Sequence, residues 1–153
     1  FNVFRQNPIE DLFPRAKEKG VSLIVRLPLA SGLLSGKFNA DTTFPVNDHR
    51  NYNANGQKFN VGETFSGIPF PEGVRFASKI RGMVPKGMTP AQLALRWVLD
   101  FDAVTVAIPG ATAPGQVGMN LGASTLAPLP RELHDRLRLL YEAEIRPLIR
   151  GKY

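Results

Sequence analysis

The stretch Arg26-Leu27-Pro28-Leu29-Ala30-Ser31-Gly32-Leu33-Leu34-Ser35-Gly36-Lys37 brings together the residue types that hold a phosphate. Gly32 and Gly36 allow backbone N–H groups to turn toward an anion with no Cβ in the way, and Lys37 supplies a countercharge. Glycine also serves tight strand-to-helix turns for steric reasons alone, so the turn needs support from a second landmark. Pro109-Gly110-Ala111-Thr112-Ala113-Pro114 provides one. Thr112 or Ala113 is placed to cap the next helix and Pro114 to begin it, which aims N–H groups at whatever lies above. Ligands of parallel α/β sheets gather at the carboxyl ends of strands, so two such turns point to one shared anionic ligand.

Other chemically capable residues do not assemble. His49 and His134 are far apart and lack a carboxylate pattern of metal-ligand spacing, so both read as surface histidines and no metal site is assigned. Tyr52, Tyr141 and Tyr153 read as structural. Asp100 and Asp102 read as capping groups around Phe101, Trp97 as core, and Arg131, Arg136 and Arg138 as a solvated helix face. Arg96 is a candidate partner for a buried carboxylate across the fold.

The elements that carry the two turns follow from the pattern. Val21 to Val25 and Ala103 to Ile108 are aliphatic runs of the kind a strand buried on both faces displays. Asn7-Pro8-Ile9-Glu10 starts a helix running toward Lys19 and ending at Gly20, Thr89-Pro90-Ala91-Gln92 starts a second, and Pro71 to Ile80 forms another. The longest amphipathic run begins at Pro130, with Leu133, Leu137, Leu140, Glu144 and Leu148 on one stripe, and Pro147 ends or bends it. Residues 39–71 have no sustained period and form a long loop, and their phenylalanines favour a packed excursion. Phe1 to Phe4 is a strand remnant. The order is that of βα units in a parallel sheet, yet two strands cannot cover their own edges. The chain reads as the back half of something larger.

Composition narrows the partners. The 153 residues are 43% hydrophobic and contain no cysteine, which excludes a disulfide framework and thiolate metal sites. No apolar stretch is of membrane-spanning length and no signal sequence is visible, so a cytoplasmic location and no membrane partner are expected. A net charge of +6 makes an anionic partner plausible. The basic residues are scattered, without a reading helix or stacking aromatics, so nucleic acid is not expected.

The chain resembles the carboxyl-terminal half of a bacterial aldo-keto reductase. The resemblance is carried by Phe4-Arg5-Gln6, Val25 through Phe38, Val61-Gly62-Glu63-Thr64-Phe65, Gln92 through Trp97, and Ile108-Pro109-Gly110-Ala111 with Gln116-Val117 and Asn120. It implies the C-terminal part of a (β/α)8 TIM barrel over residues 1–153, with two to three βα units and a C-terminal helix, incomplete as a barrel. It further implies an NADPH-dependent oxidoreductase that reduces aldehydes or ketones. By position, Leu29, Ser31, Gly32, Leu33 and Lys37 would follow the pyrophosphate, and Arg26 would lie where many relatives stack a tyrosine on the nicotinamide. Pro109, Gly110, Ala111, Thr112, Gln116 and Asn120 would surround the adenosine and its 2′-phosphate.

Two departures qualify that implication. Thr112 and Gln116 stand where relatives place guanidinium groups, and a hydroxyl and an amide bind phosphate less strongly, so NADH is open beside NADPH. The family's proton-transferring residues precede the first residue here, so no catalytic residue is assigned and the isolated chain is expected to be inactive. The expected partners are the N-terminal half of the barrel, or a second copy, against the strand edges, and a small carbonyl substrate in a full-length parent. A non-catalytic nucleotide-binding module and a self-associating fragment are the alternatives.

Overall fold

The computed structural model describes residues 1–151. Two parallel strands, β1 (Leu23–Arg26) and β2 (Val104–Ile108), form the sheet, and about half of the chain is the connection between them. The helices are α1 (Leu12–Glu18), α2 (His49–Tyr52), α3 (Phe70–Arg81), α4 (Pro90–Leu99), α5 (Pro114–Gly122) and α6 (Arg131–Leu140). This α/β arrangement with an open sheet is that of an incomplete barrel.

Helix ends follow local chemistry. Thr89 and Gln92 form a reciprocal capping box at the start of α4. Gly20, at φ 62°, ends α1, where the amides of Gly20 and Val21 turn back to the carbonyls of Lys17 and Ala16. The helix expected from Asn7 is broken, however, into a 3-10 turn over Asn7–Ile9 and a separate α1. Pro14 explains the break: it has no N–H for the carbonyl of Glu10 and its ring would collide there, but it is tolerated in the first turn of a helix that starts at Leu12. Asn7 does not cap; its Oδ1 accepts the Tyr141 hydroxyl at 2.8 Å.

Pro147 acts further upstream than expected. The α-helical ladder stops at Leu140 and a π-turn follows over Tyr141–Ile145, in which the Arg146 amide reaches back to the Tyr141 carbonyl. Pro147 could not donate to Ala143, and the wider turn accommodates that loss before a 3-10 turn over Arg146–Leu148. Phe1 to Phe4 is likewise not a strand. A tight turn bridged between Asn2 and Arg5 drives Val3 and Phe4 fully into the core.

The core lies on one side of the sheet, where Leu33, Phe65, Phe76, Leu93, Trp97, Leu137 and Tyr141 pack together. The other surfaces of the strands are bare, contrary to the expectation of burial on both faces. Ile24 is 64%, Val106 41% and Ile108 51% exposed. The aliphatic run is right for a central strand, but two strands supply no neighbour and no second layer. Residues 39–71 are a packed excursion, as expected: the rings of Phe38, Phe44, Phe65 and Phe70 lie 4.9 to 6.0 Å apart. Among the described residues no helix is long and apolar enough to cross a membrane.

Candidate nucleotide site

The register pairs Arg26 with Ile108, the last residue of β1 with the last of β2. Because the strands are parallel, both glycine turns leave the sheet at the same end.

After β1 the backbone enters a 3-10 turn over Ala30–Ser35. Leu27, Ala30 and Ser31 have φ of 53°, 50° and 56°, conformations that L residues rarely adopt, and Gly32 and Gly36 follow at 97° and 75°. The glycines give the turn its geometry, in which the Gly32 and Gly36 amides donate to the carbonyls of Leu29 and Leu33. Leu33 is fully buried and close-packed against Gly73, whose hypothetical Cβ would meet it at 2.6 Å. Lys37 is exposed at the end of the turn.

At the second mouth Pro109 is half-buried and Gly110, Ala111 and Thr112 are exposed. Ala113, not Thr112, occupies the cap position of α5, without a side-chain bond. Thr112 turns instead to Gln116, whose Oε1 accepts from the Thr112 amide at 2.7 Å and its hydroxyl at 3.2 Å. Asn120 Nδ2 lies 3.5 Å from the Gly110 carbonyl.

Contacts between residues far apart in the sequence complete the first mouth. Ser31 Oγ accepts the Phe65 amide at 3.1 Å and reaches the Glu63 carbonyl at 3.4 Å. Asn2, which is 1% exposed, donates to the Leu27 carbonyl at 2.9 Å and to Ser66 Oγ at 3.0 Å. Arg26 lies 3.3 Å from the Glu63 carboxylate, with a largely exposed side chain. A groove of about 340 Å³ runs beside β1 between Asn2, Arg5, Arg26 and Glu63.

Arg50 stands over the Phe44 ring at 4.6 Å and next to Gly32. It donates through Nε and a terminal nitrogen to Asp48, at 2.9 and 2.6 Å. These bonds hold the Asp48 carboxyl down to about 2 and raise the Arg50 guanidinium. The Asp48-x-Arg50 spacing within an aromatic-rich loop was the available signal for this pair. For Asn2 and Ser66 the sequence offers none, because their partners are 25 and 64 positions away.

Of the remaining expectations, those for Asp100, Arg96, His134 and Arg138 are corrected. Asp100 is no simple cap: it accepts from Arg96 Nε at 2.8 Å and from the Leu129 amide at 3.0 Å, and lies 2.8 Å from His134 Nε2. Arg96 therefore pairs one helical turn along its own helix, and His134 is half-buried rather than a surface group. Arg138 bridges Glu10 and Glu142 instead of facing only water. Tyr141 is fully buried and Tyr52 packs edge-on against Phe59, while Tyr153 lies outside the described residues. Among the described residues no group of metal-ligating side chains converges.

The sequence pattern of the aldo/keto reductase family matches residues 1–142. Aldo-keto reductase YhdN of Bacillus subtilis is 31% identical over 117 residues, 76% of this chain and 33% of that protein. A probable voltage-gated potassium channel subunit beta of Arabidopsis thaliana is 30% identical over 135 residues, 84% of this chain and 38% of that one. The solved glycerol dehydrogenase of Gluconobacter oxydans superposes on all of this chain with a TM-score of 0.74 at 26% identity, using 44% of its own length. The chain thus spans between a third and a half of the length of these relatives.

Proposed function

This chain belongs to the aldo/keto reductase family, and from that premise we propose that it is the nucleotide-binding portion of an NADP(H)-dependent oxidoreductase acting on aldehydes or ketones. The observation that carries the reading is the Arg26–Ile108 register, which sets two glycine turns at one end of a parallel sheet.

In this reading Lys37 and the main chain of Leu29, Ser31, Gly32 and Leu33 follow the pyrophosphate. The carbonyl groups of Pro109, Gly110 and Ala111 and the amides of Gly110 and Ala111, with Asn120, hold the adenosine. Thr112 and Gln116 meet the ribose and its 2′-substituent. Their mutual hydrogen bonds offer neutral groups where a guanidinium would favour a phosphate, so NAD(H) is accepted alongside NADP(H). Arg26 is free to lie flat beside the nicotinamide once it exchanges Glu63, an exposed ion pair worth little by itself. When bound, the cofactor supplies the hydride. The chain's own contribution is to bind and orient it and, through residues 61–67, to exclude water.

We assign no proton donor within this sequence. Tyr141 is buried on Asn7 and Tyr52 lies out in the excursion; in this reading proton transfer and most of the carbonyl pocket fall to residues outside this sequence, as the family resemblance implies. The bare apolar surface of Ile24, Val106, Ile108, Val117, Met119 and Leu121 favours a covering polypeptide, either an N-terminal half-barrel or a second copy of this chain. A cytoplasmic setting remains part of the proposal, in keeping with the cysteine-free composition.

Titration of the chain with NADPH, followed by nicotinamide fluorescence, tests the reading; no binding at millimolar cofactor refutes it. Lys37→Ala is expected to weaken the affinity by about 1 to 3 kcal/mol, the range for a charged hydrogen bond. Unchanged affinity removes Lys37 from the site.

A further inference from the structure

The segment that overlies Ser31 is fastened at a distance. Arg150, beyond the last helical turn, donates from Nε to the Gly67 carbonyl at 2.9 Å, and from its two terminal nitrogens to Asn55 Oδ1 at 2.8 Å and the Ala54 carbonyl at 3.1 Å. Its backbone amide also reaches the Gly67 carbonyl, at 3.1 Å. One planar guanidinium therefore grips both ends of the 54–67 segment, a task for which its fork of donors is suited and a lysine ammonium is not.

The contact is built from both sides. Gly67 has φ 81°, and a Cβ there would sit 2.6 Å from the Arg150 carbonyl. Gly151 has φ 82°, and a Cβ there would meet Val61 at 2.9 Å. Between its fastened ends the segment is wound on Asn53, which is fully buried. Its Oδ1 accepts the amides of Lys58 and Phe59, and its Nδ2 donates to Thr64. Just N-terminal to Gly67 stand Phe65 and Ser66, whose amide and hydroxyl meet Ser31 and Asn2 at the mouth of β1.

We propose that Arg150 is a positioning residue of the nucleotide site: it closes the 54–67 segment into a unit that rests on Ser31 and slows the departure of bound cofactor. The second half of that statement rests on the nucleotide reading above; the first does not.

The experiment has two readouts on the intact chain. In hydrogen exchange without cofactor, Arg150→Ala should make the amides of Lys58, Phe59, Gly62 and Phe65 exchange about tenfold faster or more, the scale of a lost charge-assisted bond. Gly67→Ala should do the same from the other side of the contact. Arg146→Ala, which removes a nearby exposed ion pair with Glu142, should leave these amides unchanged. In stopped-flow displacement of NADPH, Arg150→Ala should raise the dissociation rate by a similar factor, with association little altered. Arg150→Lys should resemble Arg150→Ala in both readouts.

The proposal is overturned if these amides stay protected in Arg150→Ala and Gly67→Ala, or if they are released while the NADPH dissociation rate stays put. It is also overturned if Arg150→Lys restores the wild-type rate, because the side chain would then act by charge alone. A wild-type chain that fails to bind NADPH overturns the nucleotide reading, whereas the exchange comparison still decides the fastening.

Discussion

Ser31 offers a test in which the backbone and the side chain make opposite demands. Its hydroxyl is the acceptor for the Phe65 amide, on a residue that is 1% exposed, and its own φ is 56°. Ser31→Ala strands that buried donor at a cost of about 1–3 kcal/mol and keeps a Cβ in the left-handed region. Ser31→Gly strands the same donor but escapes the left-handed penalty of about 1–2 kcal/mol, less about 0.5–1 kcal/mol of extra backbone entropy. The glycine variant should therefore be the more stable of the two by about 0.5–1 kcal/mol, reversing the order found at ordinary helical positions. Urea unfolding followed by the fluorescence of Trp97, the single tryptophan and a fully buried one, measures both at constant m. An alanine variant as stable as wild type, or more stable than the glycine variant, refutes the argument.

Two further perturbations separate the roles of the ion pairs. Asp100→Ala leaves Arg96, His134 and the Leu129 amide without their shared acceptor, in a spot where the carboxylate is 7% exposed. It should lower stability by about 3–5 kcal/mol in the same assay, with Asp100→Asn intermediate. Asp48 carries a carboxyl held near 2 by Arg50, below its ordinary 3.8, so its contribution is complete above the unfolded value and disappears as pH falls toward 2. Wild type and Arg50→Ala should accordingly differ in stability at about pH 6 and converge as the pH approaches about 2. A gap that persists undiminished at the acid end contradicts the pairing.

The parts of the fold that local chemistry dictates were legible in the residues. Thr89 and Gln92 cap each other, Gly20 ends α1, and the aliphatic runs before Arg26 and Pro109 are strands. What misled was chemistry acting over a distance along the helix. Pro14 forbids a helix through Glu10, and Pro147 converts the turn before it into a π-turn, each through a carbonyl four residues upstream. The exposure of the strands has a different cause. Hydrophobicity records the neighbours a strand is suited to have, and Ile24, Val106 and Ile108 are suited to neighbours that two strands do not supply.

The site divides along the same line. Glycines and a lysine mark the two turns because they are contiguous, and parallel register follows from the βα order. The contacts that hold the first turn in shape come from Asn2, Phe65 and Ser66, brought there only by the folded chain. Their necessity can be argued from the backbone. Leu27, Ala30, Ser31, Phe65 and Ser66 are the described non-glycine residues with positive φ, and they fall in two segments that bond to each other at the end of β1. Strain of about 1–3 kcal/mol at each such residue persists only where surrounding contacts over-determine the conformation. Asn2 fixes Leu27 and Ser66 at once, Ser31 fixes Phe65, and Arg150 fixes Gly67 beside them. Left-handed residues concentrated at the strand end, with side chains from three distant parts of the chain holding them, mark this mouth as the region whose shape is maintained against local preference. A ligand that is bound chiefly through main-chain groups requires that kind of shape.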